Sequence, residues 1–385
     1  MKNSKKLGIN TTCVHVGEVI DEQFKGAVSP IYMATSYAFD NVDVKRYPRY
    51  YNTPNQEMLC KKIAALENTE DALIFSSGMA AISSAMLAFL KRGDHVVIQQ
   101  VIYGGTYNFI VSEFDKYGIE YSFTESDKVE DFITLVKENT KILYIETPSN
   151  PLLGITDMQA IADVAKENNI LTMIDNTFAS PINQNPYNFG IDIIIHSATK
   201  YMGGHSDISA GAIAASKKHI EQIWKTAINL GGNLSEQTVW LLERSLKTLN
   251  LRVKTQTENA KIMADYLEAN SNIDAVYYPG LKSNPGFEIA EKQMKDFGAM
   301  LSFELSANID PMEFQRNLQL IKSSMSLAGL ESTTVSPAQT THALLTEEQR
   351  LERGIKDGLI RFSVGIEETE DLIADIEQAI KKAKK

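Results

Sequence analysis

The sequence predicts an α/β protein: a mostly parallel sheet covered by helices on both faces, followed by a smaller α+β unit. Strand-like and helix-like segments alternate from about residue 70 to residue 211, as in βαβ units. After residue 211 the apolar pattern becomes mainly helical, with few helix breakers. The 385 residues also exceed the usual size of a single hydrophobic core, so we expect two domains.

The strands of the first unit are short apolar runs that end at turn signals. They cover residues 73–75, 95–98, 119–123, 141–146, 171–174 and 192–195. Helices are predicted at 80–90, at 106–117 (closed by Gly118), at 129–138, and from a Thr156-Asp157 cap to residue 168. Because successive strands connect through helices, the sheet they form should be largely parallel.

The second unit has a long helical stretch over 234–270, strands at 273–278, 299–305 and 359–364, and helices at 311–320 and 368–384. The first 60 residues have weak periodicity and resemble an extended arm that packs on a neighbouring subunit. The predicted division is therefore an arm over 1–60, a sheet domain over 61–250 and a C-terminal domain over 251–385.

Composition narrows the class of protein. A formal charge of -11 leaves no basic surplus for nucleic acid or an anionic membrane. Cys13 and Cys60 are too few for a disulfide framework and lack metal-ligand spacing, so we expect a cytoplasmic protein without a metal site. No signal peptide is expected, and serines and glycine interrupt the apolar stretch 72–90, so it does not predict a membrane span.

Lys200 follows a short apolar run that ends at Ile195. A lysine just past a buried strand is partly removed from water, which lowers the pKa of its amine from about 10.4. The neutral amine is a nucleophile that can form a Schiff base with a carbonyl cofactor. Ser197 and Thr199 place hydroxyls beside it, where a phosphate can bind. This combination suggests pyridoxal phosphate; a plain lysine at the surface end of the sheet has the same local sequence.

Two further strand ends carry groups suited to this cofactor. Asp175 ends an apolar strand, where a carboxylate needs a cation or hydrogen-bond donors, and a protonated pyridine nitrogen is one such partner. Gly78 and Met79 follow two serines at the start of a helix, whose first N–H groups favour phosphate. Ordinary helix caps explain either segment equally well.

Tyr103 and Arg361 are the other candidates. Tyr103 precedes two glycines, which allow a ring to approach closely, and its phenol can stack on a cofactor and move protons. Arg361 lies in an alternating strand and can bind a carboxylate through two N–H groups. The alternatives are an interfacial tyrosine for Tyr103 and a structural salt bridge for Arg361.

Ligands of parallel sheets bind beyond the carboxyl ends of the strands. We therefore expect Gly78, Asn150, Asp175 and Lys200 to converge at that edge of the sheet.

Together these segments resemble the Cys/Met-metabolism family of pyridoxal-phosphate enzymes, from about Thr12 to Glu370. The matching segments are Ser76-Ser77-Gly78-Met79-Ala80-Ala81-Ile82, Tyr103-Gly104-Gly105-Thr106, Glu146-Thr147-Pro148-Ser149-Asn150-Pro151, Asp175-Asn176-Thr177-Phe178, His196 to Gly204, Ser326 to Ser332, and Arg361 to Gly365. The resemblance implies the fold of pyridoxal-phosphate transferases of the aspartate aminotransferase type, with a seven-stranded sheet in the cofactor-binding domain.

The resemblance also implies roles for individual residues. Lys200 would hold the cofactor and move protons, Asp175 would pair with the pyridine nitrogen, and Tyr103 would stack on the ring. Gly78, Met79, Ser197 and Thr199 would hold the phosphate, Asn150 would lie near the phenolic oxygen, and Arg361 with Ser326 and Asn150 would bind the substrate carboxylate. Tyr47 and Arg49 would reach the phosphate of a neighbouring subunit in a homotetramer built from two dimers.

The chain departs from the family pattern in the loop after Arg49, which has one extra residue, and at Ala328, where glycine is common. It also has Met325 where cystathionine-handling enzymes often carry glutamate, and methionine suits an apolar thioether. Gly105, however, stands where methionine γ-lyases usually have cysteine.

The resulting hypothesis is γ-elimination from a sulfur amino acid, of the methionine γ-lyase or cystathionine γ-lyase type, giving a 2-oxo acid, ammonia and a thiol. Its alternatives are γ-replacement by an incoming thiol and a non-catalytic, regulatory protein that binds pyridoxal phosphate.

Overall fold

The computed structural model describes residues 7–340 and 346–385 and contains two sheets. The strands of the larger sheet are β1 (Asp71–Phe75), β2 (His95–Ile98), β3 (Glu120–Phe123), β4 (Thr140–Glu146), β5 (Leu171–Asp175), β6 (Ile193–His196) and β7 (Gly211–Ala215). Their order is β1-β7-β6-β5-β4-β2-β3, and β7 alone among them runs antiparallel to its neighbours. The predicted seven-stranded, mostly parallel sheet is therefore confirmed.

The smaller sheet consists of β8 (Ile273–Tyr277), β9 (Met300–Leu305), β10 (Lys322–Ser323), β11 (Thr333–Val335) and β12 (Leu359–Ser363), in the order β10-β11-β12-β9-β8. The helices are α1 (Ile9–His15), α2 (Pro54–Glu67), α3 (Gly78–Phe89), α4 (Gly104–Tyr117), α5 (Val129–Leu135), α6 (Met158–Glu167), α7 (Ser180–Asn183), α8 (Lys217–Leu230), α9 (Glu236–Leu246), α10 (Leu249–Glu268), α11 (Phe287–Gln293), α12 (Pro311–Asn317), α13 (Glu347–Glu352) and α14 (Thr369–Lys382). In the described ranges, no helix is long and apolar enough to cross a membrane.

The central strands of the larger sheet are buried on both faces because alternate side chains enter two different cores. On β4, Leu143 and Ile145 join the core that extends to the smaller sheet, whereas Ile142 and Tyr144 join the core beneath α3, α4 and α8. This two-sided burial explains why these strands are continuous apolar runs in the sequence. It also leaves their carboxyl ends as the places where polar side chains can gather.

Several local predictions differ from the structure, and α12, for example, ends at Asn317 instead of continuing to residue 320. Strand β7 has no predicted counterpart, because its sequence Gly-Ala-Ile-Ala-Ala has one β-branched residue, Ile213, and no aromatic residue to mark it as a strand. The helical stretch 234–270 is divided into α9 and α10, since the Ser245 carbonyl accepts hydrogen bonds from the Thr248 side chain and from Arg252 Nη2 at 3.0 Å. Helix α5 ends at Leu135 instead of continuing to residue 138.

Helix α2 crosses residue 60, the predicted end of the arm. Its first turn begins with Pro54, which favours the first helical position, and Thr53 and Gln56 form a capping box. The irregular part of the N-terminal region therefore ends at Thr53. The three domain bounds themselves remain predictions.

The C-terminal helix is attached to the smaller sheet domain through Asp375. Its carboxylate accepts main-chain N–H groups from Gln319, Leu320 and Ile321 at 2.8–2.9 Å, and the residue is only 6% exposed. We expect Asp375→Asn to lower the free energy of unfolding by about 1–3 kcal/mol, because an amide NH₂ group would face N–H donors. Asp371→Asn on the exposed face of the same helix should cost less than about 1 kcal/mol. Equal losses in urea denaturation would contradict this.

Candidate active site

A cavity of about 440 Å³ lies beyond the carboxyl ends of β1, β4, β5 and β6, facing the smaller sheet. Most of the residues predicted for the site line this cavity: Gly78, Met79, Tyr103, Asn150, Asp175, Ser197, Thr199, Lys200, Ser326 and Arg361. Tyr47 and Arg49 do not. The cavity wall also includes residues that the sequence analysis does not assign to the site, among them Ser77, Glu146, Thr177, Phe178 and Leu327.

Lys200 is held by the turn that follows β6. Its main-chain N–H donates to the Ser197 carbonyl at 3.0 Å, and its own carbonyl accepts the Gly204 N–H at 2.7 Å. The side chain reaches across to the smaller domain, where Nζ donates to Ser326 Oγ at 3.1 Å. Burial lowers the pKa of the Lys200 amine, and the positive charge of Arg361 lowers it further. This is the environment of a nucleophilic amine.

Asp175 ends β5 inside the cavity wall. Burial raises the pKa of its carboxyl, while hydrogen bonds from Thr177 and the charge of His196 act in the opposite direction. The Thr177 N–H donates to Asp175 Oδ1 at 3.0 Å, so the turn after the strand fixes the carboxylate. The carboxylate also lines the cavity, where a cationic ligand can reach it. The alternative prediction is that Asp175 caps a helix, but Asp175 does not cap one, because α7 begins only at Ser180.

The start of α3 and the turn after β6 form a close-fitting polar cradle. A Cβ atom added to Gly78 would lie 2.9 Å from Ser197 Cβ, so only glycine permits this approach. Ser77 caps the helix by accepting the Ala80 N–H, and the N–H groups of Gly78 and Met79, in the first turn, have no acceptor within the helix. Such N–H groups favour an anionic ligand such as phosphate.

The hydroxyl of Thr199 is engaged by the main chain. It donates to the Ala210 carbonyl at 3.1 Å and accepts the Ala210 N–H at 3.0 Å. Thr199 thus fixes the turn that carries Lys200, and an additional ligand would have to share the oxygen. The Ser197 hydroxyl, which faces Gly78, is the better placed of the two to meet a phosphate.

Arg361, on β12, is 3% exposed and points to neutral groups. Nη1 donates to Asn150 Oδ1 at 3.1 Å, and Nη2 donates to the Met325 carbonyl at 3.2 Å. Among the residues described, no carboxylate forms a salt bridge with it, so the alternative of a structural ion pair is not supported. Burial lowers the pKa of the guanidinium to about 10, against the opposing effects of Glu146 and Tyr103.

Glu146 is the principal residue that the sequence analysis missed at this site. It ends β4 directly beside Asp175 of β5, and its carboxylate accepts the N–H groups of Tyr103 at 2.7 Å and of Asn150 at 3.1 Å. Burial, with the neighbouring Asp175 charge, raises the pKa of Glu146 well above its usual range. The signal in the sequence was a carboxylate at the end of a buried strand, the same signal that identified Asp175.

A second buried network lies behind Asp175. His196 Nε2 contacts Glu67 Oε1 at 2.5 Å, and Glu67 also accepts N–H groups from Asn176 and Asn185 at 3.0 and 3.3 Å. Glu67 and His196 are at most 2% exposed. The network joins α2 to the ends of β5 and β6 and so supports the strand ends that carry Asp175 and Ser197.

Tyr47 precedes the 3-10 turn Pro48–Tyr50, and Arg49 lies within this turn, on the surface beside α8. Tyr47 is 42% exposed, and the Arg49 guanidinium donates to the Ile228 carbonyl and lies 5.3 Å from the centre of the Tyr50 ring. These residues therefore do not approach the cavity of their own chain.

The cavity's donor set fits pyridoxal phosphate. A buried amine without a carboxylate partner, a carboxylate fixed at a strand end and a helix start with unpaired N–H groups correspond to its aldehyde, ring nitrogen and phosphate. No metal-binding group of three or more His, Cys, Asp or Glu side chains occurs in the parts of the chain that are described.

Comparison with known proteins points to the same cofactor. The model for "Cys/Met metabolism PLP-dependent enzyme" matches residues 10–381. The L-methionine γ-lyase of Fusobacterium nucleatum subsp. nucleatum is 39% identical, with 98% of this chain and 99% of the relative covered. A cystathionine β-lyase of Lactococcus lactis subsp. cremoris is 42% identical, with 97% and 99% covered.

Solved structures lead to the same family. The crystal structure of cystathionine γ-lyase from Lactobacillus plantarum complexed with L-serine superposes with a TM-score of 0.94 and 37% identity, covering 98% of this chain and 99% of that one. Fold, cavity and sequence therefore agree, and the chain belongs to the Cys/Met-metabolism family of pyridoxal-phosphate-dependent enzymes.

Proposed function

We propose that the chain catalyses γ-elimination from a sulfur amino acid, with release of a 2-oxo acid, ammonia and a thiol. The observation that carries the proposal is the pairing, in one cavity, of a buried amine on Lys200 with a buried guanidinium on Arg361 that has only neutral partners. A substrate with an α-amino group and an α-carboxylate satisfies both. The names of the relatives, methionine and cystathionine lyases, support a sulfur-containing side chain.

Binding and orientation follow from the cavity wall. Arg361 and Asn150 bind the substrate carboxylate, and Ser326 helps to place it close to Lys200. Asp175 maintains a proton on the ring nitrogen of the cofactor, while Gly78, Met79, Ser197 and Thr199 hold its phosphate. When bound, pyridoxal phosphate supplies the electron sink that stabilises negative charge at the substrate Cα.

Proton transfer is assigned to Lys200 and Tyr103. The neutral Nζ of Lys200 accepts the Cα proton, for which its lowered pKa is suited. A second proton must leave Cβ before the sulfur on Cγ can depart, and water then releases the 2-oxo acid and ammonia. Tyr103 lies at the mouth of the cavity, 45% exposed, and its hydroxyl donates a proton to the departing sulfur. The Glu146 carboxylate accepts the Tyr103 main-chain N–H and so fixes the backbone position from which the phenol extends.

An apolar thioether substrate is favoured by the side of the cavity near the smaller sheet. Met325 is 70% exposed and lies next to Leu327 and Phe178 in the cavity wall, where it can contact a substrate side chain. Among the described residues that line the cavity, the cations are Lys200 and Arg361, which are already assigned to the α-amino and α-carboxylate groups, so none of these is left for a second, distal carboxylate. Cystathionine, which carries one, would extend this group into solvent, and γ-replacement would need a thiol to enter by the same route.

We also propose a homotetramer built from dimers that share active sites. The segment from Ile20 to Tyr50 exposes many apolar side chains, including Phe24, Met33 and Phe39 at 69–79%, which is unusual unless another chain covers them. Tyr47 and Arg49 belong to the same segment and do not approach their own cavity. The arm over 1–60 would then deliver them to the phosphate of a neighbouring subunit.

We also propose a cytoplasmic location and a division of the chain into three segments. A cytoplasmic location agrees with two unpaired, buried cysteines. A division into 1–60, 61–250 and 251–385 agrees with the placement of the two sheets on either side of α10.

The function is tested by a substrate panel. Holoenzyme is incubated with methionine, homocysteine, cysteine or cystathionine, and 2-oxo acid and ammonia are measured; O-acetylhomoserine with cysteine or sulfide tests replacement. We expect release from methionine, lowered by about 1,000-fold or more in Lys200→Ala, because the amine that receives the proton is absent. Lys200→Arg, which retains a cation, should be equally inactive. Turnover by Lys200→Ala, or formation of a replacement product alone, would contradict the proposal.

The reactivity of Lys200 should show an unusual pH dependence. The neutral amine is the reactive form, so covalent capture of pyridoxal phosphate rises with pH and levels off above the pKa of the amine. Because burial lowers that pKa, capture at Lys200 should level off at a lower pH than capture at exposed lysines. Cofactor-free protein is exposed briefly to pyridoxal phosphate at each pH and reduced with borohydride. Peptide mass spectrometry then measures capture at Lys200 and at the exposed lysines. Coincident pH curves would be evidence against a depressed pKa.

Shared active sites can be tested by complementation. Arg49→Ala and Lys200→Ala chains, each nearly inactive alone, are unfolded together, refolded and assayed. In a hybrid dimer with shared sites, one active site carries both substitutions and the other carries neither, so activity should return. A mixture that remains inactive, although mass spectrometry shows hybrids, would place Arg49 in the site of its own subunit.

A further inference from the structure

Glu146 connects two parts of the cavity that are assigned different tasks. Its Oε2 accepts the N–H of Tyr103 at 2.7 Å, and its Oε1 accepts the N–H of Asn150 at 3.1 Å. Asn150 Oδ1 in turn accepts Arg361 Nη1 at 3.1 Å. One carboxylate thus links the main chain at the proposed proton donor to the proposed carboxylate-binding pair.

The carboxylate itself is rigidly held. Glu146 is 4% exposed at the end of β4, and its main-chain N–H donates to Gln99 Oε1 at 2.9 Å. Gln99 Nε2 donates to Asp127 Oδ1 at 2.8 Å, which fixes the orientation of the amide. The two N–H donors and the positive charge of Arg361 favour the ionised form of Glu146, and they oppose the burial and the neighbouring Asp175 charge that raise the pKa of its carboxyl.

The Tyr103 main chain has few other constraints at this point. Tyr103 precedes α4 without any side-chain cap, and Gly104 and Gly105 follow it, so the segment has little intrinsic stiffness. The ring passes close over Gly105, where an added Cβ would lie 2.5 Å from Tyr103 Cε1. The hydrogen bond to Glu146 therefore largely determines the position of the Tyr103 main chain.

We propose that Glu146 is a positioning residue that sets the distance between the Arg361–Asn150 pair and Tyr103. The inference rests on the proposed function, in which that pair binds the substrate carboxylate. Glu146 touches neither substrate nor cofactor in this role; it acts through two main-chain N–H groups. Loss of either bond would let the Tyr103 segment move relative to the bound carboxylate, and a small misplacement has large kinetic effects.

The test uses Glu146→Gln holoenzyme. Glutamine has the same shape but presents one oxygen and one NH₂ group to two N–H donors, so one of the two bonds must break. We expect kcat/KM for the best substrate of the panel to fall by about 10- to 100-fold, partly through a higher KM. The visible circular dichroism of the bound cofactor should change as well, because it reports the arrangement of the ring and its surroundings.

The decisive readout is discrimination for a carboxylate. L-Alanine and ethylamine differ in the α-carboxylate, and their binding to holoenzyme can be titrated through the absorbance of the cofactor without any turnover. We expect the preference for L-alanine over ethylamine to fall by about 10-fold in Glu146→Gln. Glu304→Gln is the matched control, since Glu304 is a 3% exposed strand carboxylate in the smaller sheet that accepts from Tyr277 and Lys356.

An unchanged preference in Glu146→Gln, an equal loss of both probes, or the same loss in Glu304→Gln would overturn the inference. If unmodified holoenzyme shows no preference for L-alanine, the assignment of Arg361 in the proposed function fails, which is a separate result. If Glu146→Gln does not retain cofactor, the same titrations are made on Glu146→Asp. Aspartate retains the charge but is too short to reach both N–H groups, so the preference should fall in the same direction.

Discussion

The burial of four ionisable side chains at one end of the larger sheet is the constraint on which the site depends. Lys200 and Arg361 are close enough for the guanidinium to lower the pKa of the amine, and Glu146 and Asp175 stand side by side on neighbouring strands. None of the four forms a direct salt bridge in the described part of the chain. The hydrogen bonds of the four side chains are instead made to neutral groups: hydroxyls, amides and main-chain groups.

Such an arrangement is costly without a ligand, because buried charges lose hydration that neutral dipoles replace only in part. The pKa values move accordingly: upward for Asp175 and Glu146, downward for Lys200 and Arg361. In the proposed complex, a ring cation would meet the buried carboxylate of Asp175, and a substrate carboxylate would meet the guanidinium of Arg361. The electrostatics of the cavity therefore favour the complex with cofactor and substrate over the protein alone.

Much of this arrangement could be predicted from the sequence because a parallel sheet turns chain order into spatial order. Asp175 and Lys200 follow successive strands, so their convergence needed only the strand pattern and the rule that ligands bind at carboxyl ends. Glu146 satisfies the same rule, but the sequence analysis places it only at the end of the predicted strand 141–146 and assigns it no role in the site. Its partners are main-chain N–H groups of Tyr103 and Asn150, and no sequence pattern reveals which carboxylate those groups will meet.

The parts of the fold that escaped prediction have a related cause. Strand β7 is identified by its position between β1 and β6, not by β-branched composition. The interruption between α9 and α10 depends on Arg252, which reaches the carbonyls of Tyr201 and Ser245. In both cases tertiary contacts, made by residues distant in sequence, outweigh the local propensity. The surface position of Tyr47 and Arg49 is of the same kind, since their proposed partner belongs to another chain.

The position of the cavity between the two sheets also affects how the site is assembled. Lys200 and Asp175 come from the larger sheet, whereas Arg361 and Ser326 come from the smaller one. The bonds Lys200–Ser326 and Arg361–Asn150 cross between them, and Ser302 of β9 donates to the Pro151 carbonyl at 2.7 Å beside Asn150. Asn150 is bonded to Glu146 of the larger sheet and to Arg361 of the smaller sheet. The loop 147–154 therefore couples the relative positions of the two sheets. The proposed recognition of the substrate carboxylate by Arg361 would then depend on the packing of the two sheets as much as on the arginine itself.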